Sequence, residues 1–293
     1  MNGRPAADAG SIAAALGWAT ALLGDDDPRL EAAILLAHCL GRPRSHLMAW
    51  PDRPVAEAAR RHFESLVARR RRGEPVAYLT GRREFWSLDL AVTAATLIPR
   101  PETETLVERA LARLPAGVPL RVADLGTGSG AVALALARER PEATIVATDI
   151  SAAALAVAAR NRRDLALDNV FLAQTDWCRG LRRLQLVVTN PPYVATADPH
   201  LQRGDLRFEP AGALTSGAEG LDDIRRIIGD LRGSMEAGWL LTEHGHTQGP
   251  AVRRLMQAAG LKAVATHPDL AGRERVTEGW WPGTGGLIPP GNG

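Results

Sequence analysis

Asp124-Leu125-Gly126-Thr127-Gly128-Ser129-Gly130 is the stretch on which the fold turns. It comes after a strand-like run at 120–124 and opens a helical run from Ser129. Glycines permit the positive φ of a tight turn and let the backbone come close to a ligand. The next helix presents free N–H groups at its start. Outward from this loop the same rhythm recurs. Strand-like runs at 144–149, 170–173, 186–190, 239–243 and 263–266 alternate with helical runs from Ser151, at 222–235 and at 252–259. Strands alternating with helices of this length specify βαβ units, so an α/β fold with a parallel sheet is expected.

The loop alone is ambiguous about its ligand. Gly126, Gly128 and Ala131 also satisfy the G-x-G-x-x-(G/A) pattern of dinucleotide-binding sheets. Asp149 ends the next strand, ~20 residues on, where a carboxylate can accept from two ribose hydroxyls together. A nicotinamide-dependent dehydrogenase and a methyltransferase fit this much equally, and a glycine turn without a ligand is the third possibility. Asp176-Trp177 comes after the third strand-like run. The ring of Trp177 would give an adenine a flat apolar contact, or else cover the sheet edge.

A second motif separates these readings. Leu186-Val187-Val188-Thr189 ends abruptly in Asn190-Pro191-Pro192-Tyr193. The prolines lock φ and remove two backbone donors. They leave the Asn190 side chain and nearby carbonyls at the C-terminal edge of the sheet, where open parallel sheets bind ligands. An amide or exocyclic amino nitrogen is a poor nucleophile because its lone pair is delocalised. The Asn190 oxygen and the Pro191 carbonyl can each accept one N–H from such a group. Two acceptors orient it and stabilise positive charge developing on nitrogen. Tyr193 can lie against the planar group. No His or carboxylate in the motif is an obvious base, so the proton is expected to leave late, to water. The bland alternative is a strand-ending turn capped by Asn. A dehydrogenase has no use for the arrangement.

Upstream of the alternating region the chain reads differently. Ile12, Ala15, Leu16, Ala19, Leu22 and Leu23 recur at helical spacing, and Leu30, Ala33, Ile34, Ala37 and His38 do so again after Asp25-Asp26-Asp27-Pro28. A third helix is expected over 55–72, with Pro54 near its first turn. Short helices with short connections make a small bundle. The four arginines at 69–72 read either as a solvated helix end or as a contact with RNA or an acidic partner. From Glu74 to Pro99 the helical stripe is lost. Phe85-Trp86-Ser87-Leu88-Asp89-Leu90-Ala91-Val92 alternates, which predicts strands or a hairpin.

Bulk properties exclude several classes. With 45% hydrophobic and 23% charged residues, the 293-residue chain is ordinary for a globular protein and builds a core without staples. Cys39 and Cys178 are far apart, form no zinc spacing, and read as thiols in a reducing cytosol. The net charge of +2 does not by itself imply nucleic acid. Lys262 is the only lysine among 35 cationic residues, which reads as a compositional habit. No basic stretch leading into an apolar segment marks a signal peptide. No run of ~18 apolar residues predicts a membrane span, so a cytoplasmic protein is expected. Glu243-His244-Gly245-His246 invites a metal reading, but no further ligands cluster nearby, and a strand end is the simpler assignment. Arg207-Phe208-Glu209 could order a loop over the substrate, or be a local ion pair with a buried Phe.

Taken with the glycine loop, Asn190 to Tyr193 resembles methyltransferases acting on planar nitrogen. Other segments narrow this. Glu74-Pro75-Val76-Ala77-Tyr78-Leu79-Thr80-Gly81, Leu97-Ile98-Pro99-Arg100-Pro101-Glu102-Thr103-Glu104, Arg207-Phe208-Glu209-Pro210 and Glu274-Arg275-Val276 resemble the peptide chain release factor N5-glutamine methyltransferase family (PrmC/HemK). The resemblance implies a Rossmann-like class I methyltransferase domain at 101–279. Before it would come an N-terminal helical bundle for substrate recognition at 1–75 and a β-hairpin linker at 76–100, with a disordered tail at 280–293 after it. It implies S-adenosylmethionine held by Gly126, Thr127, Gly128, Ser129, Gly130, Asp149, Trp177 and Asn190. The substrate would be the glutamine of the Gly-Gly-Gln loop of bacterial class I release factors, its amide held by Asn190, Pro191, Pro192 and Tyr193. No metal, stable nucleic-acid complex or membrane partner is expected, and a monomer is. The Gly/Pro-rich tail departs from the family, whose chains are expected to end near Glu278. The competing readings are an adenine-N6 methyltransferase on DNA or RNA, which should carry a strong basic track, a ribosomal-protein glutamine methyltransferase, and a non-catalytic binding protein.

Overall fold

The computed structural model describes residues 10–24, 27–202 and 204–283. They fall into two compact units. One holds the described residues up to Gly81 together with Gln202–Phe208, and the other holds the rest.

The first unit is helical. It contains α1 (Ile12–Leu22), α2 (Pro28–Leu40), α3 (Arg44–Ala49), α4 (Glu57–Arg71) and α5 (Val76–Thr80). Ser11 accepts from Ala14 N at 3.2 Å and Asp27 from Leu30 N at 3.1 Å, each capping the start of its helix. The third expected helix begins at Glu57 rather than residue 55, because Pro54 is drawn into a bridge with Ser11. Ile12, Leu35, Leu36, Phe63 and Leu66 close the core. The arginine run is not a uniformly solvated end. Arg70 falls on the buried stripe of α4 with Phe63, Leu66 and Val67, and pairs with Glu31 at 2.8 Å and Asp205 at 3.0 Å. Arg69 pairs with Glu74. Arg207 donates to the Arg72 carbonyl at 2.6 Å. Its guanidinium fills the space a Cβ on Gly73 would need. The stretch 76–80, expected as the start of the β-hairpin linker, is the helix α5.

The second unit opens with a hairpin, β1 (Arg82–Phe85) and β2 (Leu88–Ala91). Trp86 and Ser87 are its turn, not strand residues. Both have positive φ, 51° and 55°, as a two-residue type I′ turn requires. Then come α6 (Glu104–Arg113), β3 (Arg121–Leu125), α7 (Ala131–Glu139), β4 (Thr144–Asp149), α8 (Ala152–Asp164), β5 (Val170–Gln174) and β6 (Leu184–Thr189). Beyond a stretch of short 3₁₀ turns lie α9 (Asp222–Ser234), β7 (Met235–Glu243), α10 (Gly249–Ala258), β8 (Lys262–Pro268) and β9 (Glu274–Trp281). One seven-stranded sheet runs β5-β4-β3-β6-β7-β9-β8.

The sheet is mixed, which corrects the all-parallel expectation. The first five strands pair in parallel, but β9 lies antiparallel between β7 and β8. The central strands are apolar on both faces because helices cover both. Val122, Leu186, Val188 and Leu241 face one core with Leu106 and Leu134 from α6 and α7. Ala123, Val187 and Leu240 face the other, with Ile227, Leu231 and Met256 from α9 and α10. Since β9 continues through Trp281, a tail beginning at 280 is too early. The rest of that expected tail, 284–293, lies outside the described residues.

Candidate active site

The strand order reverses between β3 and β6, and ligands bind at such a switch point, outside the strands' C-terminal ends. Both motifs emerge there. Leu125 pairs with Thr189 at the last rung of the two strands, so the glycine turn and the Asn-Pro-Pro-Tyr turn leave the sheet side by side.

Asp124 anchors the glycine turn. Its carboxylate accepts from Thr127 Oγ1 at 2.6 Å and from Ala133 N at 3.1 Å. At 2% exposure, burial pushes it up to about 6 against the pull of those two bonds. Gly126 has a left-handed backbone (φ 72°) that favours glycine, and a Cβ there would stand 3.1 Å from the Trp177 ring, which would have to give by a few tenths of an ångström. Asp149 accepts from Gly128 N at 3.0 Å through one oxygen and from Ser151 N at 2.9 Å through the other. The end of β4 is thereby tied to the glycine turn. Trp177 itself sits at φ 49°, and its Nε1 has no partner among the described residues.

These groups surround a cavity of about 350 Å³, within the range of small-molecule sites. Gly126, Thr127, Gly128, Ser129, Asp149, Trp177, Asn190 and Pro192 all line it. Gly130 does not. It starts α7 at φ 86° and packs on Leu134 and Ala158. Pro191 is buried and lies off the lining. Tyr193 also lies off it. Its hydroxyl donates to Glu243 Oε1 at 3.2 Å, and its carbonyl accepts from Gln248 at 3.0 Å. Asn190 donates through Nδ2 to Thr103 Oγ1 at 3.2 Å, which leaves Oδ1 as its acceptor.

Sequence alone assigns no site role to three residues around the motif: Thr103, which stands in the segment 97–104, Glu243, read as a strand end, and Gln248. They reach it from 87, 50 and 55 residues away. Glu243, expected as a strand end, is 1% exposed. Burial pushes its carboxyl up to about 7, offset in part by the Thr103 hydroxyl, Arg275 and the Tyr193 hydroxyl, with Glu102 adding to the rise. The neighbouring His244 is turned to Thr277 Oγ1 at 2.8 Å and the Gly245 carbonyl at 2.9 Å. Glu209, buried, pairs with Arg100. Phe208 is only half-buried, with the Arg207 guanidinium 5.0 Å over its ring. Pro99 and Thr103 on one side, and Pro210 and Gly212 on the other, complete the cavity wall.

A dinucleotide-binding sheet runs 3-2-1-4-5-6. Here the antiparallel β9 is inserted ahead of β8, and an Asn-Pro-Pro-Tyr turn flanks the cavity. The sheet and its site are those of a class I methyltransferase domain. Residues 14–81 match the model of the PrmC N-terminal domain, and 103–213 that of the methyltransferase small domain. The release factor glutamine methyltransferase of Xylella fastidiosa is 54% identical over 258 residues, 87% of this chain and 94% of the relative. That of Escherichia coli K12 is 48% identical over 261 residues, 88% and 94% respectively. A solved methyltransferase from Pyrococcus furiosus shares the fold at a TM-score of 0.50 and 14% identity, over 67% of this chain and 89% of that one. The chain belongs to the release factor glutamine methyltransferase family.

Proposed function

We propose that the protein binds S-adenosylmethionine in the cavity between the two turns. There it transfers a methyl group to the side-chain amide nitrogen of the glutamine in the Gly-Gly-Gln loop of bacterial class I release factors. The observation that carries this is the Asn190 amide, fixed through Nδ2 on Thr103 so that its oxygen is left to accept an N–H at the cavity. The names carried by the relatives agree with it.

The cofactor fits the residues present. Gly126 leaves a slot beside the Trp177 ring that any side chain would fill, and Trp177 offers a flat apolar face. The Asp149 carboxylate is held in place by two backbone N–H groups and can accept from ribose hydroxyls. When bound, the cofactor supplies a methyl group on a positively charged sulfur. Asn190 Oδ1 accepts an N–H of the substrate amide at the cavity, which orients its nitrogen and offsets charge that builds on it. An amide oxygen is not a base, so the amide proton leaves to water after transfer. The helical unit recognises the release factor, and the protein works in the cytoplasm as a monomer. No described helix is long and apolar enough to cross a membrane.

The test is transfer of labelled methyl from S-adenosylmethionine to a purified release factor, to a copy with Ala for Gln in its Gly-Gly-Gln loop, and to nucleic acid. Label on the intact factor alone is expected. Label on nucleic acid, or on the Ala copy, refutes the assignment.

A further inference from the structure

We propose that Gln248 is a positioning residue for methyl transfer, which holds the Asn190-Pro191-Pro192-Tyr193 turn in shape through the Tyr193 carbonyl. The inference rests on the methyl-transfer reading of the site for its meaning, and the experiment separates the two.

The turn needs outside support because Pro191 and Pro192 have no backbone N–H with which to fix it. At its entry, Thr189 Oγ1 donates to the Leu125 carbonyl at 2.8 Å, and Asn190 Nδ2 donates to Thr103 Oγ1 at 3.2 Å. At its exit, Tyr193 is met twice by the connection between β7 and α10. Its hydroxyl donates to Glu243 Oε1 at 3.2 Å, and its carbonyl accepts from Gln248 Nε2 at 3.0 Å. Glu243 ends β7 and Gln248 stands just before α10. One short connection therefore brackets Tyr193 from ring to backbone.

The Gln248 amide is matched to its surroundings group by group. Its Oε1 accepts from Gly245 N at 2.8 Å. Its Nε2 faces three carbonyls, those of Tyr193 and Glu219 at 3.0 Å each and that of Gly220 at 3.4 Å. A side-chain NH₂ has two hydrogens, so the two shorter contacts take one each. An oxygen in the same place would meet three acceptors, which fixes which way round the amide sits. The bracket is itself tied down. Gln248 N donates to the Gly245 carbonyl at 2.8 Å, and His244 is bonded to Thr277 Oγ1 at 2.8 Å. The stretch 243–245, which invites a metal reading in the sequence, is the arm of this bracket.

The same amide joins the turn to the chain that walls the cavity. Val194 N donates to the Leu214 carbonyl at 2.9 Å, and Ser216 N donates to the Val194 carbonyl at 3.0 Å. The chain leaving the turn thus runs beside 214–216, and Gly212 and Ala213, just before, line the cavity. Gly220 is buried at φ 70° against the Tyr193 carbonyl. A Cβ there would stand 2.1 Å from that oxygen and 2.9 Å from Gln248 Nε2. With the donor in place, the turn presents Asn190 at the cavity in one position. Without it, Tyr193 keeps only the hydroxyl half of the bracket, and transfer is sensitive to shifts well under an ångström to an ångström. The glycine turn and Asp149 are held by other bonds, so cofactor binding does not depend on Gln248.

The experiment uses the full chain with Gln248→Glu, Gln248→Met and Gln248→Lys. Gln248→Glu keeps the length and the acceptor for Gly245 but sets a carboxylate against the carbonyls. Gln248→Met removes the donors without adding charge, and stands in if Gln248→Glu does not fold. Gln248→Lys keeps a donor and gives up the acceptor. Calorimetric titration with S-adenosylmethionine gives the cofactor affinity and the fraction of chains that bind. Per cofactor-binding chain, kcat on the release factor should fall about tenfold to a hundredfold in Gln248→Glu and Gln248→Met, while KM for the factor and cofactor affinity stay within about twofold. Gln248→Lys should recover most of the loss. Independently of catalysis, hydrogen exchange at the Val194 and Ser216 amides should become about tenfold faster or more in Gln248→Glu and Gln248→Met, with the amides of β6 unchanged. Wild-type kcat in either donor-less variant overturns the inference, as does a loss that is equal in Gln248→Lys or that follows the fraction of binding chains. If the wild type fails to label the release factor, the methyl-transfer reading falls, and exchange at Val194 and Ser216 alone decides whether Gln248 holds the turn.

Discussion

Replacing Asp149 by alanine should raise the dissociation constant for S-adenosylmethionine about 150-fold. The carboxylate is half-buried at the cavity wall and already preorganised by Gly128 N and Ser151 N. Little ordering is left to be done when ligand hydroxyls arrive. Hydrogen bonds to a charged group contribute about 1.5–3 kcal/mol each. Because water reaches this carboxylate, the low end applies. Two such bonds then give about 3 kcal/mol, a little over two decades in affinity. Asp149→Asn keeps one acceptor and loses the charge, so it should fall between the two, about tenfold weaker than wild type. Calorimetric titration with S-adenosylmethionine measures both, and a thermal melt checks that the variants remain folded. Wild-type affinity in folded Asp149→Ala would refute the assignment of this carboxylate to the ligand hydroxyls. An equal loss in both variants would show that charge, not the pair of acceptors, is what matters.

Three further outcomes are expected. Asn190→Ala should lower kcat by at least about a hundredfold with a melting temperature within a few degrees of wild type; near-normal turnover would remove Asn190 from the chemistry. Gly126→Ala should cost about 1–2 kcal/mol for its left-handed backbone and also push the Trp177 ring off the slot. Cofactor affinity should then drop by more than the melting temperature implies, and a loss confined to stability would count against the slot. At Glu278, burial raises the carboxyl, but His267, Arg113 and Arg109 outweigh it and hold the group at about 2 against an ordinary 4.5. A depressed carboxylate stabilises above its unfolded value and loses that contribution as pH falls from 4.5 towards 2, on the order of 3 kcal/mol for a group 1% exposed. Acid unfolding should show this limb in the wild type and lose it in Glu278→Gln, which should also be less stable at neutral pH.

The features legible in the sequence are those that a short window encodes. The turn at 126–130, Asp149 at a strand end and the turn at 190–193 combine glycine, proline and apolar runs within a few residues, and each stands at the C-terminal edge of the sheet. β9 is hidden because its pattern is not apolar. Glu274-Arg275-Val276-Thr277-Glu278 buries Thr277 and Glu278, made tolerable only by Arg109 and Arg113 from α6 and His267 from β8. Trp86 and Ser87 look like strand residues because Asn-Gly, the usual sign of their turn, is missing. Glu104 accepts from Trp86 N at 2.9 Å and Glu84 from Ser87 N at 2.8 Å, and these bonds hold the turn instead. Thr103 and Glu243 are out of reach for the same reason. Both stand in segments that the sequence singles out, but their contacts with Asn190 and Tyr193 span 87 and 50 residues, and no local pattern announces those.

The helical unit is not a contiguous piece of chain. It borrows Gln202–Phe208 from the stretch beyond the Asn-Pro-Pro-Tyr turn, and Asp205 and Arg207 from that loan tie into Arg70 and Arg72. Modularity in this protein is therefore interrupted at the level of the gene. A chimera that transplants only the first 81 residues from a relative would keep the recipient's segment at 202–208 and mismatch the Arg70 and Gly73 surroundings. A graft meant to exchange the helical unit has to carry both stretches.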